Sequence, residues 1–158
     1  MRRFGFSTLT FVTIALAATA FADGHAQPAP DDTVKARRAL MGTIGYHTGI
    51  LGNMAKGEMP YDAAMATAAA ENISAAATMN RLTIWIEGSG VGAAEGTRAK
   101  PEIWTDPAGF ETAAMALETA AATMVMAAGT DLDALRGAMQ GLGAACSTCH
   151  KAYRAPAN

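Results

Sequence analysis

Cysteine is nearly absent from this sequence: its 158 residues hold two, Cys146 and Cys149. One pair cannot build the disulfide framework that staples many small exported domains. No second Cys/His pair at ligand spacing exists to complete a four-ligand zinc site around them. β-Branched residues are sparse and no strand-like alternation is present, so nothing supports a sheet. Charge is low, 16% of residues with a formal net of −2, and that balance implies neither nucleic acid nor an anionic membrane as partner. No nucleophile–base pair or carboxylate dyad sits at recognisable spacing, so the chain is not expected to be an enzyme. Alanine, methionine and glycine are abundant instead, and the composition leans towards helix.

The chain opens with Arg2-Arg3, then an apolar run from Phe4 to Phe21, then Ala20-Phe21-Ala22 ahead of Asp23. A basic segment, an apolar core and an A-x-A site predict a secretory signal peptide over residues 1–22, cleaved near Ala22. The run is short, is interrupted by Ser7, Thr8, Thr10 and Thr13, and lacks a basic stop-transfer flank, which argues against a permanent anchor. Without Arg2 and Arg3 the mature chain would carry a net charge near −4. Residues 23–30, including His25, read as a flexible lead-in ended by prolines, and 31–158 as one ordinary domain.

Four helical stretches follow. Asp31-Asp32-Thr33 supplies an N-cap and first-turn acids, and Val34, Arg37, Met41, Ile44, Thr48, Leu51 and Ala55 recur at steps of three and four up to Gly57, a C-cap glycine. A second seam is predicted through Tyr61, Met65, Ala68, Asn72, Ala75, Met79, Leu82 and Ile86. Gly88, Gly90, Gly92 and Gly96 then mark a long loop over 87–105, in which Ile103 and Trp104 fold back on the domain. Asp106-Pro107 opens a third helix with Phe110, Ala114, Leu117, Ala121 and Met124 inward, stopped by Gly129. Asp131 caps a last one, with Leu132, Leu135, Met139, Leu142, Cys146, Cys149 and Tyr153 inward. The expected fold is all-α, an antiparallel four-helix bundle.

On that last seam the chain reads Cys146-Ser147-Thr148-Cys149-His150. C-x-x-C-H is the spacing of c-type haem attachment: two thiols form thioethers with the haem vinyls and the adjacent imidazole ligates the iron. A redox dithiol would normally follow a strand and open a helix, and no strand precedes this one. A disulfide across two intervening helical residues would be strained. One covalent haem c per chain is therefore expected, with Cys146 and Cys149 as attachment points and His150 as an axial ligand.

The sequence resembles the class II cytochromes c, the cytochrome c′ family. The motif's place near the C-terminus carries the likeness, with Val34-Lys35-Ala36-Arg37, Lys56-Gly57-Glu58-Met59-Pro60-Tyr61-Asp62, Lys100-Pro101-Glu102-Ile103-Trp104 and Asp106-Pro107-Ala108-Gly109-Phe110. The resemblance implies a left-handed antiparallel bundle, His150 as the proximal ligand, Arg154 one turn later beside it, and Arg37 approaching a haem propionate. For Arg37 there is a physical reason as well, because an Arg on an apolar seam must find an anion or snorkel to the bundle edge.

Function turns on the sixth iron position. In high-spin members of the family a bulky apolar side chain from the first helix blocks that face, and such haems bind NO or CO. In a low-spin branch a methionine ligates instead. A register anchored on Arg37 and Lys56-Gly57 puts Met41 there, and a thioether suits haem iron. Met65, Met79, Met115, Met124 and Met139 are read as core fillers. His47 falls off the seam and is expected at the surface. The expected function is a periplasmic one-electron carrier with His150/Met41 ligation, exchanging electrons with periplasmic or membrane-bound redox proteins. The alternative is a five-coordinate protein that binds NO or CO, with Met41 as a plug. Gly42, Gly45, Gly49 and Gly52 would permit close approach of a second chain in a homodimer, or simply make room for the haem.

Overall fold

A computed structural model describes residues 27–157; the expected signal segment 1–22 and His25 lie outside them. Five α-helices follow in order: α1 Pro30–Lys56, α2 Ala63–Ala77, the single turn α3 Glu102–Thr105, α4 Pro107–Ala128 and α5 Leu132–Tyr153. The four long ones form the bundle, with α5 packed along α4, α2 between α1 and α4, and α1 touching α5 more sparsely. Among the described residues no strand forms, only an isolated bridge between Ala99 and Arg154.

Local chemistry sets most of the boundaries. α1 begins at Pro30, one residue inside the expected lead-in; Ala29 stands at the N-cap without a side-chain bond, and Asp31 and Asp32 serve as first-turn acids. Proline's fixed φ pre-organises that first turn. Gly57, at φ 78°, closes the helix in the left-handed conformation, its N–H returning to α1 carbonyls. Asp62, Asp106 and Asp131 cap α2, α4 and α5, each carboxylate accepting a backbone N–H three residues on. Each such cap contributes about 1 kcal/mol.

The second helix departs from its sequence pattern. It stops at Ala77 rather than reaching Ile86, and Arg81–Thr83 forms a 3₁₀ turn started by the Asn80 side chain. Its core face is Ala66, Ala69, Ala70, Ile73 and Ala76, while Met65, Ala68, Asn72, Ala75 and Met79 are exposed. The phase is one residue away from the predicted seam. In so alanine-rich a helix the larger methionines suggest an inward stripe, yet close helix packing puts the alanines inside. Met115 is likewise exposed, so only Met124 and Met139 of the five methionines expected in the core lie there.

Two cores result. The larger joins Ile44, Leu51 and Met54 of α1, the alanine face of α2, Ala121, Met124 and Ala128 of α4, and Leu135 and Leu142 of α5. The smaller gathers Ala99, Ile103, Phe110 and Tyr153, with Trp85, Trp104 and Cys149 against it. Burying each large apolar side chain is worth about 1.5–3 kcal/mol. Ile103 and Trp104 do fold back, and the Trp104 indole N–H donates to the Trp85 carbonyl at 3.0 Å.

Candidate functional site

The last two turns of α5 carry Cys146, Cys149 and His150, all half-buried. The two thiols are not bridged to each other. Burial pushes both above the usual thiol range; for Cys149 the neighbouring Cys146 adds to this and Arg154 opposes it. His150 is held below its ordinary value, first by burial and then by the positive charges of Arg154 and Arg98. The neutral imidazole is thereby favoured, the form with a lone pair for a metal. Among the described residues no cluster of three His, Cys, Asp or Glu could hold a bare metal ion; a haem iron, which brings its own ring of donors, would need only an axial ligand such as His150.

The bundle leaves room for that ring. Where α1 and α5 meet, the methyl of Met139 lies 3.8 Å from a Cβ placed on Gly52, while at Gly49, Gly45 and Gly42 a Cβ would meet nothing within 4 Å. The helices run antiparallel, so moving up α1 from Gly52 towards Met41 means moving down α5 from Met139 towards Cys146 and Cys149. Contact gives way to open space beside the exposed α1 glycines. Covalent haem c fits the donor set: Cys146 and Cys149 would hold its vinyl edge and His150, which lines an open cleft of about 640 Å³ together with Cys146, would ligate the iron. When bound, the group supplies one-electron redox chemistry.

Met41 is 37% exposed and belongs to neither core, whereas Ile44, nearly one turn on, is buried.

Arg37, one turn before Met41, is only 4% exposed. Its guanidinium donates to Ile84 O and Ser89 Oγ through Nη1, and to Ser89 O and Thr97 Oγ1 through Nη2, at 3.3, 3.1, 2.8 and 2.7 Å. It also stacks over the Trp85 ring at 4.7 Å. Burial without a carboxylate partner pushes its pKa down. The side chain does not snorkel. It fastens the 84–97 loop to α1, with Nε as the one donor not used on the loop. Sequence reasoning missed Ser89, Thr97 and Trp85, which lie 48 to 60 positions away and show no local pattern.

Behind His150 the scaffold is tied by polar and aromatic contacts. The Tyr153 hydroxyl donates to Asp106 Oδ2 at 3.0 Å, and its ring meets Phe110 edge-on, as Phe110 does Trp85. Lys100 N donates to Tyr153 O and Arg154 N to His150 O, so segment 98–100 runs beside the α5 terminus. Arg154, one turn after His150, is exposed. His47 is half-buried rather than at the surface, its Nδ1 without a hydrogen-bond partner.

Comparison with known proteins bears on the whole described domain. A family model for Cytochrome C′ matches residues 32–154. The chain is 47% identical over 121 residues to cytochrome c-554 of Cereibacter sphaeroides, covering 77% of this chain and 79% of that one. To the cytochrome c′ of the same organism it is 35% identical over 124 residues, covering 78% and 83%. Among solved structures it superposes on a cytochrome c′ from Rhodobacter sphaeroides with a TM-score of 0.80 at 33% identity, covering 82% of this chain and all of that one. A nitric oxide complex of an engineered cytochrome c prime from Alcaligenes xylosoxidans matches with a TM-score of 0.71 at 34% identity, covering 81% and 97%. The cysteine pair, the histidine that follows it and the helical bundle agree with these likenesses, and the chain belongs to the cytochrome c′ family, a c-type cytochrome with one covalent haem c.

Proposed function

We propose that the protein is a periplasmic one-electron carrier whose iron is held between His150 and Met41. The observation that carries this reading is the place of Met41, one turn beyond the buried Arg37 on α1, where its side chain packs into neither core. The greater likeness to a cytochrome c-554 than to the cytochrome c′ of the same organism supports a branch of its own within the family. His/Met ligation raises the reduction potential and suits outer-sphere transfer. With both axial positions filled, the protein has little to reorganise when the charge on iron changes, and no substrate chemistry is assigned to it. The periplasmic place rests on the signal segment expected at 1–22; none of the described helices is long and apolar enough to cross a membrane.

Optical spectra of the exported protein, oxidised, reduced and reduced under CO, test this. Sharp low-spin bands, a weak long-wavelength methionine–iron band when oxidised, and no shift with CO are expected. Met41→Ala should become high-spin and take up CO; a variant that stays low-spin overturns the ligation. A second reading has its own support, since solved relatives include a nitric oxide complex and a carbon monoxide-bound variant. There Met41 is a plug, and wild-type reduced protein shifts its spectrum under CO.

A further inference from the structure

The aromatic cluster against which Cys149 packs holds three side chains that a strong one-electron oxidant can oxidise: Trp85, Trp104 and Tyr153. They lie close together. Tyr153 meets Phe110 edge-on with ring centroids 5.4 Å apart, and Phe110 meets Trp85 at 5.0 Å. Trp104 is tied to Trp85 by its indole N–H. An electron vacancy formed on any of the three can move within so compact a cluster, and it comes to rest where the oxidised ring is best stabilised.

The surroundings of the three differ. An oxidised indole is a radical cation, and Trp85 lies 4.7 Å beneath the Arg37 guanidinium, whose charge opposes a second positive charge there. Trp104 donates to the Trp85 carbonyl, a neutral acceptor and a poor base. Tyr153 donates instead to a carboxylate, Asp106 Oδ2, at 3.0 Å. The tyrosine is buried, whereas Asp106 is exposed at the start of α4. Burial first, and then the Asp106 carboxylate, hold the phenol above its ordinary pKa, so the proton stays on Tyr153 until the ring loses an electron. Among the described residues no other phenol donates to a carboxylate; Tyr61 donates to the Ala128 carbonyl. A buried ring with a base in hydrogen-bond contact lets electron and proton leave together, which avoids an unpaired buried cation.

We propose that Tyr153 is a redox-active tyrosine, the place where one-electron oxidising equivalents reaching this cluster are held, with Asp106 as its proton acceptor. A one-electron oxidant of the carbonate-radical class takes the electron and is reduced. The phenolic O–H bond breaks, its proton passes to Asp106 Oδ2, and a neutral tyrosyl radical and a carboxylic acid remain. A mild reductant of the ascorbate class returns the electron, and Asp106 returns the proton. The step does not involve the iron, so the proposal stands whichever ligand fills its sixth position.

The test uses the oxidised holoprotein, carrying ring-deuterated tyrosine, with photogenerated ruthenium(III) tris-bipyridine as the oxidant and EPR of freeze-quenched samples as the readout. A neutral tyrosyl signal narrowed by the label is expected, and ascorbate should clear it. Tyr153→Phe, which keeps the ring that packs on Phe110, should abolish the signal, while Tyr46→Phe and Tyr61→Phe should keep it. Asp106→Asn retains a side-chain oxygen to cap α4 but offers no base. It should slow the appearance of the signal about a hundredfold, the low end of what a positioned base contributes. A tyrosyl signal that survives Tyr153→Phe, a tryptophanyl signal in the wild type, or an Asp106→Asn rate equal to that of the wild type overturns the assignment.

Discussion

The two cores of this bundle are built from different materials. The larger is mainly aliphatic: alanines of α2 against Leu51, Met124, Leu135 and Leu142. The smaller, next to His150, is aromatic and bound by specific polar contacts: Trp104 to Trp85, Tyr153 to Asp106, and Arg37 into the 84–97 loop. An aliphatic core holds helices together with non-directional burial, and it tolerates repacking. Hydrogen-bonded aromatics fix orientation. The end that must present two sulfurs and an imidazole in one geometry is the end that uses directional contacts.

The sharpest way to break this comparison is to damage each core and ask what is lost. Leu135→Ala removes a fully buried side chain from the aliphatic core and should cost about 3–4 kcal/mol in denaturant unfolding, with the haem spectrum unchanged. Arg37→Met at the other end should cost about 2–3 kcal/mol, because buried carbonyls and hydroxyls lose their donors. Its distinguishing mark is local: amide exchange in residues 84–97 should accelerate while the aliphatic core stays protected. Uniform acceleration across both cores would mean that they are one cooperative unit.

A smaller effect probes the aromatic packing alone. A Cβ on Gly90 would stand 2.5 Å from the Trp104 ring, which its own hydrogen bond holds in place. Gly90→Ala should therefore cost about 1–2 kcal/mol and shift tryptophan fluorescence. Gly45→Ala, facing open space on α1, should leave Trp104 fluorescence as it is.

What the sequence disclosed follows the same division. Caps at Asp106, Asp131 and Gly57 and the inward stripes of α4 and α5 are short-range signals, and they stand where they were predicted. The phase of α2 was not legible, because alanine and methionine do not differ enough in hydrophobicity to mark a face, and packing distance decided it. The end of α2 at Ala77 was equally hidden: Thr78 bonds back to Ser74 and Ala75, and the chain then turns so that Arg81 can reach α4. The Arg37 clasp depends on partners far along the chain, a placement that only the folded loop creates. Around the end of α5, then, the local caps and stripes were readable and the long-range supports were not.

Arg81 supplies the finest test, since it joins the loop between the two cores to α4. It forms ion pairs with Glu111 and Glu118, and its own pKa is raised chiefly by the hydrogen bond to Glu111. The Glu111 carboxyl is in turn held below its ordinary range by the Arg81 hydrogen bond. A carboxylate whose folded pKa is depressed contributes stability that is present above its unfolded value and is lost as pH falls through the folded one. Wild-type protein should accordingly lose a little stability on acidification below the usual carboxylate range, and Glu111→Gln should lose less over the same window. Glu111 is largely solvent-exposed, so the difference should be slight and should shrink further in high salt. A Glu111→Gln curve that parallels wild type at low salt would show that the pair is ornamental, leaving Trp85 and Arg37 to carry the tie between loop and bundle.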